Sequence, residues 1–255
     1  MEAGINLYSI RNKIKTEEDF LQTALSLREM GYTYMQFSGG VYDAPMIARV
    51  SGASGLPVVL THVPMDRIIN DTDALMREHE SFGCKKIGLG AMPKTTLLDE
   101  DEFRSTVEKL NAAGEKMKKN GFAFFYHHHH FEFYRHGGET ALAYMIENAP
   151  YINFTLDTYW AHFGGADVLS LIRKLQGRIA CVHLKDYQIV WDAEKKAFVP
   201  TFAPVGEGNL DFPAIVAEMK KAGTEHFLVE QDNAALLPDT MDEVRRSIAY
   251  IKANL

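Results

Sequence analysis

Phe122-Ala123-Phe124-Phe125-Tyr126-His127-His128-His129-His130-Phe131-Glu132-Phe133 opens as an aromatic run of strand length and closes on four consecutive histidines and a glutamate. The first half has the residue types of a buried strand. The second half is costly to bury unless it is used, and metal coordination and proton transfer are the usual uses of imidazoles packed with a carboxylate. A histidine run can also be a purification tag, but tags sit at termini beside flexible linkers, and this run lies between aromatic residues. The stretch therefore reads as a buried strand that delivers ionisable groups at its C-terminal end. Successive strand residues face opposite ways, so at most two of the four imidazoles can point at one centre.

Short apolar runs alternate with amphipathic segments along the whole chain. Strands are predicted at 4–10, 32–38, 56–63, 84–90, 122–130, 152–159, 179–185 and 226–231, each rich in β-branched or aromatic residues and bounded by Gly, Pro or Asn. Between them run helical stripes: Phe20, Leu21, Ala24, Leu25 and Leu27 up to Gly31; Phe103, Val107, Leu110 and Met117 up to Gly121; Met241, Val244, Ile248 and Ile251. Asp211 and Pro213 suit the first turn of a helix, and Asp239 or Thr240 suits the cap of the last one. Eight βα rounds predict a parallel sheet of the α/β class, closed as a single (β/α)8 TIM barrel domain over residues 1–255. An open doubly wound sheet is the runner-up, but no GxGxxG follows the first strand. Two places depart from the pattern. Residues 44–54 hold a glycine and two serines, with a second glycine just beyond, and predict at most a short, irregular helix. Residues 187–208 are longer than a βα loop needs and read as a β-hairpin inserted after strand 7, on the face where barrel enzymes build their sites.

The chain carries a net charge of −7, which argues against nucleic acid as a partner. No apolar run approaches the ~20 residues of a membrane span. The first strand begins almost at once, leaving no room for a signal peptide, and two cysteines outside any CxxC pair suit a reducing compartment. The expectation is a cytoplasmic protein, with a homo-oligomer left open.

Ionisable residues gather at the C-terminal ends of the predicted strands, where a barrel places its chemistry. The third strand ends at His62, the fifth runs into His127–Glu132, the sixth ends on Asp157 with Trp160 and His162 just beyond, the seventh carries His183 and the eighth ends on Glu230. Any one of these is ordinary as a core polar group or a strand-end cap. Five on one face is not. Carboxylates and an imidazole converging on a barrel mouth make a mixed oxygen and nitrogen site suited to a divalent metal ion, Mn²⁺ first, then Mg²⁺ or Co²⁺, with Zn²⁺ or Fe²⁺ as further options.

Several motifs run in the order of a known family. They are Tyr126-His127-His128-His129 with Phe131-Glu132-Phe133, Leu156-Asp157-Thr158-Tyr159-Trp160, Val182-His183-Leu184-Lys185-Asp186, Val205–Phe212 and Val229-Glu230-Gln231-Asp232. With Asn6–Arg11 as the first strand, the chain resembles the xylose isomerase-like TIM barrel superfamily, in its sugar phosphate isomerase/epimerase group. The resemblance implies a divalent metal held by Glu132, Asp157, His183 and Glu230, with His127 or His129 as the alternative ligand or catalytic base. It implies a metal-dependent sugar or sugar phosphate isomerase/epimerase working by proton transfer α to a carbonyl through an enediolate. Glu132, Glu230, His127 and His129 are the candidate acids and bases. Lys185 and His62 are placed to stabilise an oxyanion, and Trp160, Tyr8 and the hairpin to wall in a small carbohydrate. The same enediolate permits a lyase, by dehydration of an inosose or β-elimination from a 3-keto-glycoside. A sugar-binding barrel without activity is the non-enzymatic alternative.

Overall fold

A computed structural model describes all residues from Met1 to Leu255. Eight parallel strands close on themselves in the order β1-β8-β7-β6-β5-β4-β3-β2. They are β1 (Gly4–Asn6), β2 (Met35–Phe37), β3 (Val58–His62), β4 (Lys86–Leu89), β5 (Ala123–His127), β6 (Ile152–Asp157), β7 (Cys181–Leu184) and β8 (His226–Val229). This is the (β/α)8 barrel that the sequence predicts. The strands are short because a buried parallel strand needs only to cross the core.

The core divides in two. One cluster of 58 buried residues fills the layer between barrel and helices, while Tyr34, Leu60, Phe125, Cys181 and Leu228 form a separate cluster. These five belong to the barrel interior by strand period, and what stands above them decides the function. Two residues on along each strand, on the same face, come Gln36, His62, His127, His183 and Glu230. Thr155 precedes Asp157 in the same way, and Gly4 precedes Asn6. Gly4 leaves room for the Tyr34 ring, into which any Cβ would run. The apolar plug thus carries a polar layer directly above it.

Helix ends follow local chemistry. Thr16 caps the helix Glu17–Met30 through its side chain, and Gly31 closes it in a left-handed conformation at φ 101°. Asp211 caps Phe212–Lys221 with Pro213 in its first turn, and Asp239, not Thr240, caps Thr240–Asn254. Residues 44–54 are a correction. They form a regular helix, Ala44–Ser54, because Asp43 caps it, Pro45 sits in its first turn, Ile47 and Val50 are buried, and Gly55 ends it. The first strand is also shorter than expected. Asn6 Oδ1 accepts from Tyr8 N at 3.2 Å and turns the chain into the 3₁₀ segment Leu7–Lys13.

The expected insertion after β7 is present. Asp186–Asp192 and Ala197–Ala203 pair through seven antiparallel positions into a hairpin. A second, smaller hairpin, Arg135–His136 with Glu139–Thr140, was not foreseen.

Candidate metal centre

β5 ends at His127, so only this histidine of the run keeps strand geometry and faces the barrel axis. Register then sets its neighbours: Thr155 lies beside His127, Asp157 beside His183, and Leu228 beside His183. His127, Asp157, His183 and Glu230 consequently offer four ligand atoms that all lie within 4.8 Å of one another, and all four residues are buried. His127 Nε2 is 3.2 Å from His183 Nδ1 and 3.4 Å from Asp157 Oδ2, and Glu230 Oε2 is 2.7 Å from His183 Nδ1. Lys185, third in the series Cys181, His183, Lys185, brings its Nζ to 3.0 Å from each of Asp157, Glu230 and Asp232.

The charges answer one another. Burial opposes ionisation of Asp157 and Glu230, yet Lys185 and the two imidazoles hold both carboxyls well below the usual range. Burial would also discharge His183, but Glu230 and Asp157 lift it to about 9. Lys185 is likewise kept charged against burial by Asp157, Glu230 and Asp232. Burial, with the neighbouring imidazoles, leaves His127 neutral and pushes His62 down to about 3, and burial with the Lys185 charge does the same to His129. Asp232, half-buried beside Glu230 and Asp157, is raised to about 6 by partial burial despite Lys185.

These donors fit a divalent cation. Two imidazoles and two carboxylates, buried and convergent, are a borderline-to-hard ligand set. Glu230 Oε2 lies close to His183 and Lys185 but is aligned for a hydrogen bond with neither, so a buried lone pair is left unspent. Three carboxylates against Lys185 and a protonated His183 leave one negative charge. A dication displacing the His183 proton brings the group to neutrality.

Around the cluster, side chains are fixed by partners that the sequence reading did not single out. Asn6 donates to Glu230 Oε1 at 2.7 Å, and Ser38 donates to Asn6 Oδ1. Gln36 Oε1 accepts from His183 Nε2 at 2.8 Å, while its amide nitrogen lies 3.0 Å from His62 Nε2. Asp157 works twice: Oδ2 faces the cluster and Oδ1 accepts from Trp160 N at 2.8 Å as the cap of the helix Thr158–Phe163. Counting by two from the interior residue Tyr34 would have found Gln36 and Ser38. Asn6 and Asp232 stand inside the quoted motifs, but only their tertiary contacts to Glu230 and Lys185 mark them as site residues.

A cleft of about 350 Å³ opens over this floor, lined by Tyr8, His62, His127, His129, Lys185 and Glu230 together with Ser38, Gly90 and Asp232. Two expected site residues stand elsewhere. Glu132, expected as the first carboxylate ligand, lies outside the four-residue cluster. The chain turns after His127 into the 3₁₀ turn Phe131–Phe133, and the Glu132 carboxyl is spent on Tyr126 OH at 2.6 Å and His129 N at 2.7 Å. Burial raises it to about 7. His127, the stated alternative, stands in its place. Trp160 does not line the cleft; its ring packs 5.5 Å from His129 and 5.0 Å from His130, with Lys185 Nζ 5.3 Å over it.

The sequence profile described as xylose isomerase-like TIM barrel matches residues 26–254. An inosose dehydratase of Clostridium perfringens is 23% identical over 98% of this chain and 86% of its own length. A sugar phosphate isomerase/epimerase of Parabacteroides distasonis superposes with a TM-score of 0.82 at 20% identity, covering 99% of this chain and 94% of that one. A xylose isomerase-like TIM barrel protein of Mycobacterium smegmatis, solved in complex with magnesium, superposes at 0.71 with 14% identity over 98% of this chain and 95% of that one.

Proposed function

Since the chain belongs to the xylose isomerase-like TIM barrel family, we propose that it is a metal-dependent enzyme moving a proton α to the carbonyl of a small carbohydrate, as an isomerase or epimerase. The carrying observation is the buried group His127, Asp157, His183 and Glu230 at the floor of an open polar cleft. A divalent ion held there, manganese first and magnesium next, would polarise the substrate carbonyl and its neighbouring hydroxyl and so acidify the C–H between them. The side chains supply the rest. Glu230, a carboxylate that both joins the cluster and lines the cleft, takes the proton. His129, neutral on the opposite wall, accepts or returns one at the other face of the same carbon. Lys185 stays charged and faces the oxygen on which negative charge grows, and Gln36 keeps His62 oriented beside it. Glu132 holds the His129 loop through its backbone N–H. Tyr8 closes one side of the cleft over the sugar.

A lyase of the same chemistry is the second reading, favoured by one feature of the site. Asp232, raised to about 6 and in contact with Lys185, gives the cleft an acid able to protonate a departing hydroxyl. The likeness to an inosose dehydratase points the same way.

Deuterium uptake separates the readings. Protein loaded with Mn²⁺ is incubated in D₂O with ketoses, 3-keto-sugars and inososes and followed by NMR. Exchange at the α carbon without loss of water or aglycone supports isomerisation or epimerisation; exchange coupled to elimination supports the lyase. No exchange with any of them under any divalent metal sinks both. Glu230→Gln is expected to lower exchange at least about a thousandfold, the upper part of what a positioned base contributes.

A further inference from the structure

Nine large apolar residues of the chain are exposed, and six of them fall in two patches. The hairpin carries Ile189 (47% exposed), Trp191 (56%) and Phe198 (73%). The other three, Leu98 (70%), Tyr134 (48%) and Phe163 (49%), line one pocket of about 540 Å³ on the same C-terminal face of the barrel. Monomeric proteins rarely leave contiguous apolar surface of this kind open, and aromatic residues are the side chains that interface centres favour.

Register makes the hairpin patch a single surface. Tyr187 pairs with Phe202, Ile189 with Pro200 and Trp191 with Phe198, so all six side chains share one face. At the base that face is already used: Tyr187 and Phe202 pack 5.3 and 4.9 Å from the ring of Tyr159. At the tip it is bare. The chain's own pocket does not cover the tip. Phe163 in the pocket wall stacks 5.4 Å from Tyr159, so the pocket adjoins the base of the hairpin, and Trp191 lies four residues and thus ~13 Å further out. Folding the tip back would break the anchor of the base, where Tyr187 OH meets His162 Nε2 at 2.8 Å and Asn209 N donates to Tyr187 O at 2.8 Å.

We propose that two copies of the chain pair about a two-fold axis, the hairpin tip of each, with Ile189, Trp191 and Phe198, seated in the pocket of the other against Leu98, Tyr134 and Phe163. A projection and a recess on the same face of one molecule satisfy each other twice in such an isologous pair, and the assembly closes there. The contact reaches the cleft. His130 and Phe131 line the pocket while His129, one residue earlier, lines the cleft, and the His129 ring stacks 4.9 Å from Phe131. Each hairpin thereby braces from outside the loop that carries the partner's cleft-lining imidazole.

Light scattering and sedimentation at micromolar concentration test the pairing without reference to any reaction, so they stand or fall apart from the proposed activity. The intact chain is expected at twice its 28.7 kDa mass. Trp191→Ser with Phe198→Ser, and separately Leu98→Asp with Phe163→Ser, should each raise the dissociation constant about a hundredfold or more, as loss of central aromatic anchors does. Trp191, Phe198 and Leu98 are mostly exposed in the single chain and Phe163 is half exposed, so circular dichroism should stay unchanged. Mixing the two double variants restores one intact tip and one intact pocket, and a heterodimer weaker than the parent is expected. A monomeric parent, a dimer that survives either double variant, or a mixture that stays monomeric overturns the proposal.

Discussion

Gln36 holds two imidazoles in opposite roles with one amide. Its Oε1 accepts from His183 Nε2, which leaves His183 Nδ1 aimed at the ligand cluster, and its amide nitrogen faces His62 Nε2, which keeps that ring a neutral acceptor. Groups that hold the far nitrogen of a ligating histidine typically contribute 10–100-fold to metal affinity. Gln36→Leu should therefore weaken Mn²⁺ binding by about that factor in titration calorimetry. The same measurement separates His127 from Glu132. His127→Ala should lose more than about a hundredfold, beyond what an outer partner contributes, whereas Glu132→Gln should lose less than about tenfold. Equal losses for the two variants would return Glu132 to the ligand set. Register explains why the sequence left this choice open. A run of four histidines does not mark where the strand stops, and the stop at His127 alone decides which imidazole meets Asp157 and His183.

At the scale of elements, what the sequence displays is periodicity, and what it hides is tertiary hydrogen bonding. All eight strands, the long helices and the hairpin follow from apolar spacing and turn residues. In the helix Ala44–Ser54, Gly52 and two serines weaken the intrinsic preference that the sequence displays, while the cap at Asp43 and the buried Ile47 and Val50 restore it. Asp186 shows the hidden part. It stands beside Lys185 in sequence, but Lys185 turns to Asp157, Glu230 and Asp232. Asp186 instead accepts from the backbone N–H groups of Tyr187 (2.9 Å), Gly206 (3.0 Å), Gly208 (2.9 Å) and Leu210 (3.3 Å), locking the hairpin base to the loop that returns to the barrel. Gly208 lies so near that a side chain there would meet the Tyr187 carbonyl and the Asp186 carboxylate. Asp186→Ala orphans these donors and should lower stability by about 3 kcal/mol in urea denaturation, the upper end of the cost of unsatisfied buried groups. A loss under about 1 kcal/mol would show that the loop is held by other means.

On the scale of the whole molecule, the barrel separates a titrating site from a titrating scaffold, and pH reaches them differently. His79, on the outer helix Thr72–Glu80, is fully buried against β3, far in sequence from the ligand set. Its Nδ1–H donates to Leu75 O at 2.7 Å, with Tyr42 OH 3.2 Å from the same nitrogen, and its Nε2 accepts from the Thr61 hydroxyl at 2.7 Å. The ring is neutral in this arrangement. Burial lowers its pKa from 6.5 to about 4, with the Leu75 carbonyl and Glu78 opposing and Arg67 assisting. A folded value below the unfolded one means that the unfolded chain takes up the proton first as pH falls. The stability that neutral His79 contributes is therefore complete above pH 6.5 and is lost progressively towards pH 4. The shift corresponds to roughly 3 kcal/mol over that window. His79→Gln keeps a donor and an acceptor but cannot ionise, so the difference in unfolding free energy between parent and variant should shrink by about that amount between neutral and acid pH. Taking the difference cancels the groups around the metal cluster, which titrate alike in both proteins. A difference that stays constant from neutral pH to pH 4 would mean that His79 takes up its proton as readily in the folded barrel as in the unfolded chain, and would overturn this assignment.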